Sequence, residues 1–222
     1  ALGAVDFLMW VVTGISTGLT QGFSIQLSQY YGAKDFENLR KSLAHSYRLT
    51  AFIAAGVLIL SQSFASLVLT GLHTPSNIIG MSLLYLRIIF CGIPATAAYN
   101  MFASALRAMG NSKTPLTAMI IASVLNVSLD ILFVAGFGWG VAGAAIATVI
   151  AQSFSAVYCF LILRRIDIVH LTRADFMPAS GMNARLMKLG IPVVFQNIII
   201  GVGGLVVQYV INGYGFLFVA GF

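Results

Sequence analysis

Six apolar runs, each long enough to cross the ~30 Å hydrocarbon layer of a bilayer as a helix of about 20 residues, occupy residues 7–30, 47–70, 78–105, 115–136, 139–163 and 189–212. A chain built this way has few folds open to it. Within lipid every backbone N–H and C=O must be satisfied inside the protein, which leaves helices or closed barrels. Barrel strands would be about half as long and strictly alternating, whereas these runs are continuous and rich in Gly, Ala and Leu. Composition agrees: 59% of the 222 residues are hydrophobic and 8% charged, with mean hydropathy +0.95, against roughly 25% charged residues in soluble domains. The expectation is an all-α integral membrane protein with six transmembrane helices.

Charge orients the helices. The segments YGAKDFENLRKSLAHSYR, LRAMGNSKTP and the stretch from Arg164 to Lys188 hold eleven of the twelve Lys and Arg residues, while GLHTPSN and GFGWG hold none. Basic loops stay cytoplasmic, so the chain starts and ends on the outer side, and an earlier span is expected upstream. Topology therefore accounts for the net charge of +6. Nucleic acid is not an expected partner, and anionic lipid headgroups are. The long basic connection is the natural boundary, giving five spans over 1–165, a cytoplasmic linker over 166–188 and the first span of a new unit over 189–222. Cys91 and Cys159 lie within apolar runs and read as packing residues, without zinc or disulfide spacing.

One acid lies deep within a span. Of the six acids, Asp130 alone sits inside NVSLDILFVAGFGWGVAGAAIATVIAQ, residues 126–152. An Asp near a helix centre costs on the order of 2.5–3.5 kcal/mol on insertion scales, and such groups usually face a bundle interior or a wet cavity. Two readings fit: a proton or cation site, or a hydrogen-bonded contact between helices. Asn126 lies one turn earlier on the same face. Asp130 and Thr148 flank the GFGWG turn at similar depth, ~9–12 Å from the outer end, and Tyr85 lies ~10 Å below GLHTPSN. A carboxylate, an amide oxygen and two hydroxyls offer oxygen ligands to H+ or a small hard cation such as Na+. Arg87 points away from Tyr85 on its helix, yet a pairing with Asp130 stays open.

Other polar or small residues carry two readings each. Gly14, Gly18 and Gly22 form a small-xxx-small ladder that favours close helix packing, although Gln21 and Gln26 between them can line a solute path. Pro94 should bend its helix, either as a static kink or as a hinge. Gln196 and Asn197 in the last span can contact a solute or bridge helices. No nucleophile elbow, P-loop, paired-carboxylate or HExxH pattern occurs, so nothing recommends an enzyme or a cofactor beyond a coupling ion. ALGAVDF at the start and FLFVAGF at the end faintly echo one another.

In order and spacing, GLTQGFSIQLSQYYGAKD, SALRAMGNSKTPL, NVSLDILFVAGFGWGVAGAAIATVIAQ and LMKLGIPVVFQN resemble the multidrug and toxic compound extrusion (MATE) family of cation-coupled antiporters. The resemblance covers nearly the whole chain. It implies part of a twelve-helix, two-lobed transporter of the prokaryotic cytoplasmic membrane, here spans two to seven, monomeric at full length. It also implies export of amphipathic or cationic drugs and toxic compounds in exchange for H+ or Na+. The family's proton or sodium site maps its fifth-span Asn and Asp onto Asn126 and Asp130, its fourth-span Tyr onto Tyr85 and its sixth-span Thr onto Thr148. A first-span Asp of that site would precede Ala1. The rival readings are a lipid-linked oligosaccharide or polysaccharide flippase, which should carry an Arg- and Lys-lined lateral groove, and a non-transporting membrane scaffold.

Overall fold

Helix forms along every apolar run and continues past several of them at the basic end of the bundle. A computed structural model describes residues 2–71, 76–177, 179 and 181–213, with side chains described over 13–67, 69–70, 79–177, 179 and 181–204. The helices are α1 (Leu2–Gly32), α2 (Phe36–Gly71), α3 (Ser76–Cys91), α4 (Ile93–Ala108), α5 (Lys113–Asp130), α6 (Gly140–Arg164) and α7 (Met182–Gly213). A π-helical turn, Ile131–Gly136, follows α5, and two short 3-10 turns, Asp167–Val169 and Arg173–Phe176, join α6 to α7. Among the described residues, five stretches are long and apolar enough to cross a membrane: α2, α3 with α4, α5 with its π turn, α6, and α7. Helix α1 runs through the first expected span. The second half of the ALGAVDF and FLFVAGF echo lies outside the described residues.

Two helices start earlier than hydropathy alone suggests. In α2 the first turns bury Leu39, Ser42, Leu43 and Ser46, a helical stripe, while Glu37 and Lys41 pair at 2.6 Å on the exposed side. In α7 the residues Met182 and Leu186 are buried and Arg185 and Lys188 exposed. Charge-bearing stretches that read as loop are therefore amphipathic helix ends held by packing. The turn between α1 and α2 is closed by Lys34 at φ 58° and by Asp35, whose carboxylate accepts from the Asn38 side-chain amide at 2.7 Å and backbone N–H at 3.1 Å. Those two bonds hold the Asp35 carboxyl below its ordinary value.

The expected bend at Pro94 is a break, and it falls at Gly92. Pro94 sits in the first turn of α4, where its missing N–H costs nothing. Gly92 allows α6 to approach, since a Cβ there would lie 2.8 Å from Val149 Cγ2.

Small residues decide which helices sit at the centre. Along α6 the buried Gly143, Ala147, Ala151, Ser155 and Cys159 recur every four residues, and this stripe seats α6 against α4 and α5. Cys159 is thus a packing residue; Cys91, by contrast, is exposed, its sulfur 3.2 Å from Gln62 Nε2. The glycine ladder of α1 packs antiparallel on α7. A Cβ on Gly18 would lie 2.8 Å from Val194 Cα, and one on Gly22 only 2.3 Å from Gly190 Cα. Large apolar side chains such as Phe52, Leu67, Val124 and Ile199 point outward, as a lipid-facing surface requires.

Candidate functional site

Asp130 is the last α-helical residue of α5, and the backbone changes pitch immediately after it. The wider turn ends with Phe137 N–H donating to the Leu132 carbonyl and Trp139 N–H to that of Phe133, both at 2.9 Å. Phe133 stacks on Trp139 with ring centroids 5.1 Å apart, and Gly138 (φ 69°) and Gly140 (φ 54°) reverse the chain into α6. Single π turns inside helices recur at functional sites. Here the turn tightens a hairpin that sets the end of α5 beside the start of α6.

Across that hairpin Asn126 Nδ2 lies 3.5 Å from Thr148 Oγ1, a long hydrogen bond, and the same hydroxyl donates to the Ala144 carbonyl at 3.0 Å. Burial along α5 stops at Ala122. From about there the helices part around a cavity of about 160 Å³ lined by Tyr99, Ser123, Asn126, Thr148, Gln152 and Ser155 among others. A second cavity, about 180 Å³, is lined by Thr13, Tyr85, Thr96, Thr148 and Gln152 among others. Thr148 and Gln152, one turn apart, line both.

Asp130 lines neither cavity. It is half-buried, and its Oδ1 is shielded from solvent without a hydrogen-bond partner among the described residues. A shielded carboxylate oxygen with no donor is the kind of orphan that an ion, a proton or a water ordinarily satisfies. The oxygens within a turn of it are neutral, and among the described residues no group of three His, Cys, Asp or Glu gathers anywhere. One carboxylate with neutral oxygens suits a proton or a singly charged hard cation better than a transition metal.

Of the four residues expected to converge, the structure brings Asn126 and Thr148 together and places Tyr85 on a cavity shared with Thr148. Tyr85 gives no hydrogen bond to the shielded Asp130 Oδ1, and among the described residues α3 packs on α2, α4 and α6 but not on α5. The same separation disposes of an Arg87–Asp130 pair; the described ion pairs are Arg40–Asp175, Lys41–Glu37 and His170–Asp167. Gln21 and Gln196 are exposed. Gln26 is buried, its amide nitrogen 3.1 Å from Met182 Sδ, which makes it a contact between α1 and α7. Asn197 reaches the Gly14 carbonyl at 3.5 Å along the same seam. Gln152 and Tyr99 escaped the sequence reading, although Gln152 follows Thr148 by one turn just as Asp130 follows Asn126.

The MatE family profile matches residues 1–132. A probable multidrug resistance protein, YpnP, of Bacillus subtilis (strain 168) is 32% identical over 225 residues, covering 100% of this chain and 50% of its own length. The multidrug export protein MepA of Staphylococcus aureus (strain NCTC 8325 / PS 47) is 24% identical, covering 92% of this chain and 46% of its own. A crystal structure of a MATE in complex with MaD5 superposes with TM-score 0.89 at 23% identity, over 99% of this chain and 51% of that one. An inward-facing MATE family transporter of the MOP superfamily gives TM-score 0.84 at 22% identity, over 90% and 46%. The chain spans about half the length of the curated relatives it matches. With five stretches among the described residues long and apolar enough to cross a membrane, and with bacterial relatives, it is a multi-pass protein of a bacterial cell membrane.

Proposed function

The chain belongs to the MatE family, and from that premise we propose that it forms about half of a two-lobed secondary transporter that exports amphipathic or cationic drugs and toxic compounds in exchange for H+ or Na+. Residues 1–165 would belong to the amino-terminal lobe, 166–188 to the linker between lobes, and 189–222 to the start of the second lobe. The observation that carries the coupling role is the shielded, unpartnered Oδ1 of Asp130, one turn from the Asn126–Thr148 contact. The relatives' names support the export reading, because they are multidrug resistance and export proteins.

In this mechanism the coupling ion enters from the uncharged end and neutralises the Asp130 carboxylate. Asn126 and Thr148 then supply neutral oxygens, the 3.5 Å bond between them being long enough to yield. The π turn gives α5 a backbone free to tighten, and tightening draws α5 onto α6 across their 160 Å³ cavity. Coupling requires that drug and ion favour opposite states, and its size equals the difference in ion affinity between them. Gln21, Gln196 and Asn197 on α1 and α7 are the candidate solute-lining residues. A flippase is less well supported, because Arg48 stands at the very end of its span and Arg87, the basic residue that lies deeper, is exposed.

The test is uphill efflux of a fluorescent cation by the intact protein in proteoliposomes, driven by an imposed H+ or Na+ gradient. Asp130→Asn should lower gradient-coupled efflux by a factor within the ~5- to 150-fold range of typical coupling energies, with the protein still folded and inserted. Unchanged coupled efflux would remove Asp130 from the mechanism, and the scaffold reading expects no gradient-driven efflux at all.

A further inference from the structure

Well away from Asp130, a narrow groove runs along the outer face of the bundle between α2 and α4. Its volume is about 360 Å³, its floor is alanine (Ala51, Ala54, Ala55, Ala97, Ala98), and Pro94 and Leu58 close its far end. From Tyr47 to Leu58 the groove follows twelve residues of α2, ~16 Å at the helical rise. That is close to half of the ~30 Å hydrocarbon layer, the thickness of one leaflet. Alanine on both helices makes the groove, since larger side chains at these positions would fill it.

The near end stops at an aromatic cluster. Tyr47 meets Phe102 edge-on at 5.4 Å, and Phe102 meets Phe160 at 5.2 Å. Tyr47 and Phe160 also line a second cavity of about 210 Å³, whose polar wall is Arg164 and His170. Apolar groove and basic pocket are therefore continuous through one tyrosine. Among the described ion pairs none involves Arg164, while His170 Nε2 lies 3.8 Å from Asp167 Oδ1, both side chains exposed.

We propose that this is a binding site for an anionic phospholipid of the cytoplasmic leaflet, one acyl chain lying in the alanine groove and the phosphate resting against Arg164 and His170. Length and lining argue for lipid: the groove runs ~16 Å, about one leaflet, and its walls are mostly alanine and other apolar side chains, the reach and chemistry of an acyl chain. Charge argues for an anionic headgroup, because the pocket lies at the basic end of the bundle, and basic pockets on the cytoplasmic side collect acidic headgroups. Tyr47, apolar in its ring and polar at its hydroxyl, stands where a glycerol backbone would lie, at the depth that tyrosine favours in membranes. The lipid bridges the α2–α4 seam and the end of α6, pinning the start of the 166–181 connection. The site does not depend on the transport reading.

Native mass spectrometry of the intact protein, released from detergent with added dioleoyl phosphatidylglycerol or dioleoyl phosphatidylcholine, tests the site by counting retained lipid. Phosphatidylglycerol should be retained about five-fold better than phosphatidylcholine, the gain expected from one basic residue at an anionic surface. Arg164→Gln should erase that preference. Ala55→Phe, on an exposed wall of the groove, should lower retention of both lipids without shifting the melting temperature. Glycerol 3-phosphate, which has the headgroup charge and no chains, should not compete. Equal retention of the two lipids, loss in neither variant, or no retained lipid in the unmodified protein overturns the proposal.

Discussion

The seam between α1 and α7 and the hairpin between α5 and α6 are both antiparallel helix pairs, and they are built on opposite terms. At the seam glycine brings backbones together: Gly22 faces Gly190 with no room for a Cβ on Gly22 and tight room for one on Gly190. At the basic end of the bundle a histidine ties α2 to the start of α7. Buried His45 on α2 lies 2.7 Å from Asn183 Oδ1 through Nδ1 and donates from Nε2 to the Met177 carbonyl at 3.1 Å. At the hairpin the packing residues of α5 run out at Ala122, and the polar groups beyond meet through one 3.5 Å bond and an orphaned carboxylate oxygen. Close backbone packing marks a joint that holds its shape, although its Asn197–Gly14 bond is as long as the bond across the hairpin. A hairpin with a cavity and an orphaned carboxylate oxygen leaves room for a second arrangement, as a coupled switch requires.

The largest expected effect comes from closing off the glycine approach. Gly22→Ala would improve intrinsic helix propensity by about 1 kcal/mol, so any loss reports the seam alone. With a Cβ 2.3 Å from Gly190 Cα the two backbones must separate, and overpacking of this kind costs typically 1–3 kcal/mol or more. We expect a fall in melting temperature and in yield of folded protein. Gly56→Ala, which meets nothing within 4 Å, should be neutral or mildly stabilising. Equal behaviour of the two variants would mean that the seam is not close-packed.

A smaller loss should follow His45→Ala. His45 is itself 2% exposed, but its partners Asn183 and Met177 are exposed and can turn to water, so the loss is that of two ordinary hydrogen bonds, about 0.5–1.5 kcal/mol each. Proteolysis between residues 166 and 181 should accelerate in this variant, while the ion dependence of efflux stays as in the unmodified protein. A shift in ion dependence would join the two regions energetically and break the contrast between them.

Much of this arrangement can be read from the residues. Run length marks the helices, loop charge marks the basic end, and the spacing of Gly14, Gly18 and Gly22 marks a close-packed face. Depth brought Asn126 and Thr148 together, because the GFGWG turn fixes both height and neighbour. For Tyr85 depth was not enough: height along a helix says nothing of azimuth, and α6 stands between α3 and α5. Helix starts at Phe36 and Met182 were hidden because their charged residues lower hydropathy while Leu39, Leu43 and Leu186 still pack inward. The break at Gly92 was masked by Pro94, the more conspicuous residue. The π turn has no signal in residue type, being set by how the aromatic cluster of the hairpin closes.

Thr148→Val gives the smallest effect on stability and the sharpest reading of the contrast. Valine keeps the shape of threonine and removes one hydroxyl, which here takes the 3.5 Å bond from Asn126 and donates to the Ala144 carbonyl. Polar contacts between helices in bilayers average ~0.6 kcal/mol, so the melting temperature should barely move. Thr148 nonetheless lines both cavities beside α6. If it supplies an oxygen to the coupling ion, the variant should need several-fold more external H+ or Na+ for half-maximal efflux, in keeping with coupling terms of ~1 kcal/mol and upward. His45→Ala would then change stability without ion dependence, and Thr148→Val ion dependence without stability. A Thr148→Val protein with an unaltered ion requirement would assign Thr148 to packing and leave Asp130 and Asn126 alone as the polar centre of the hairpin.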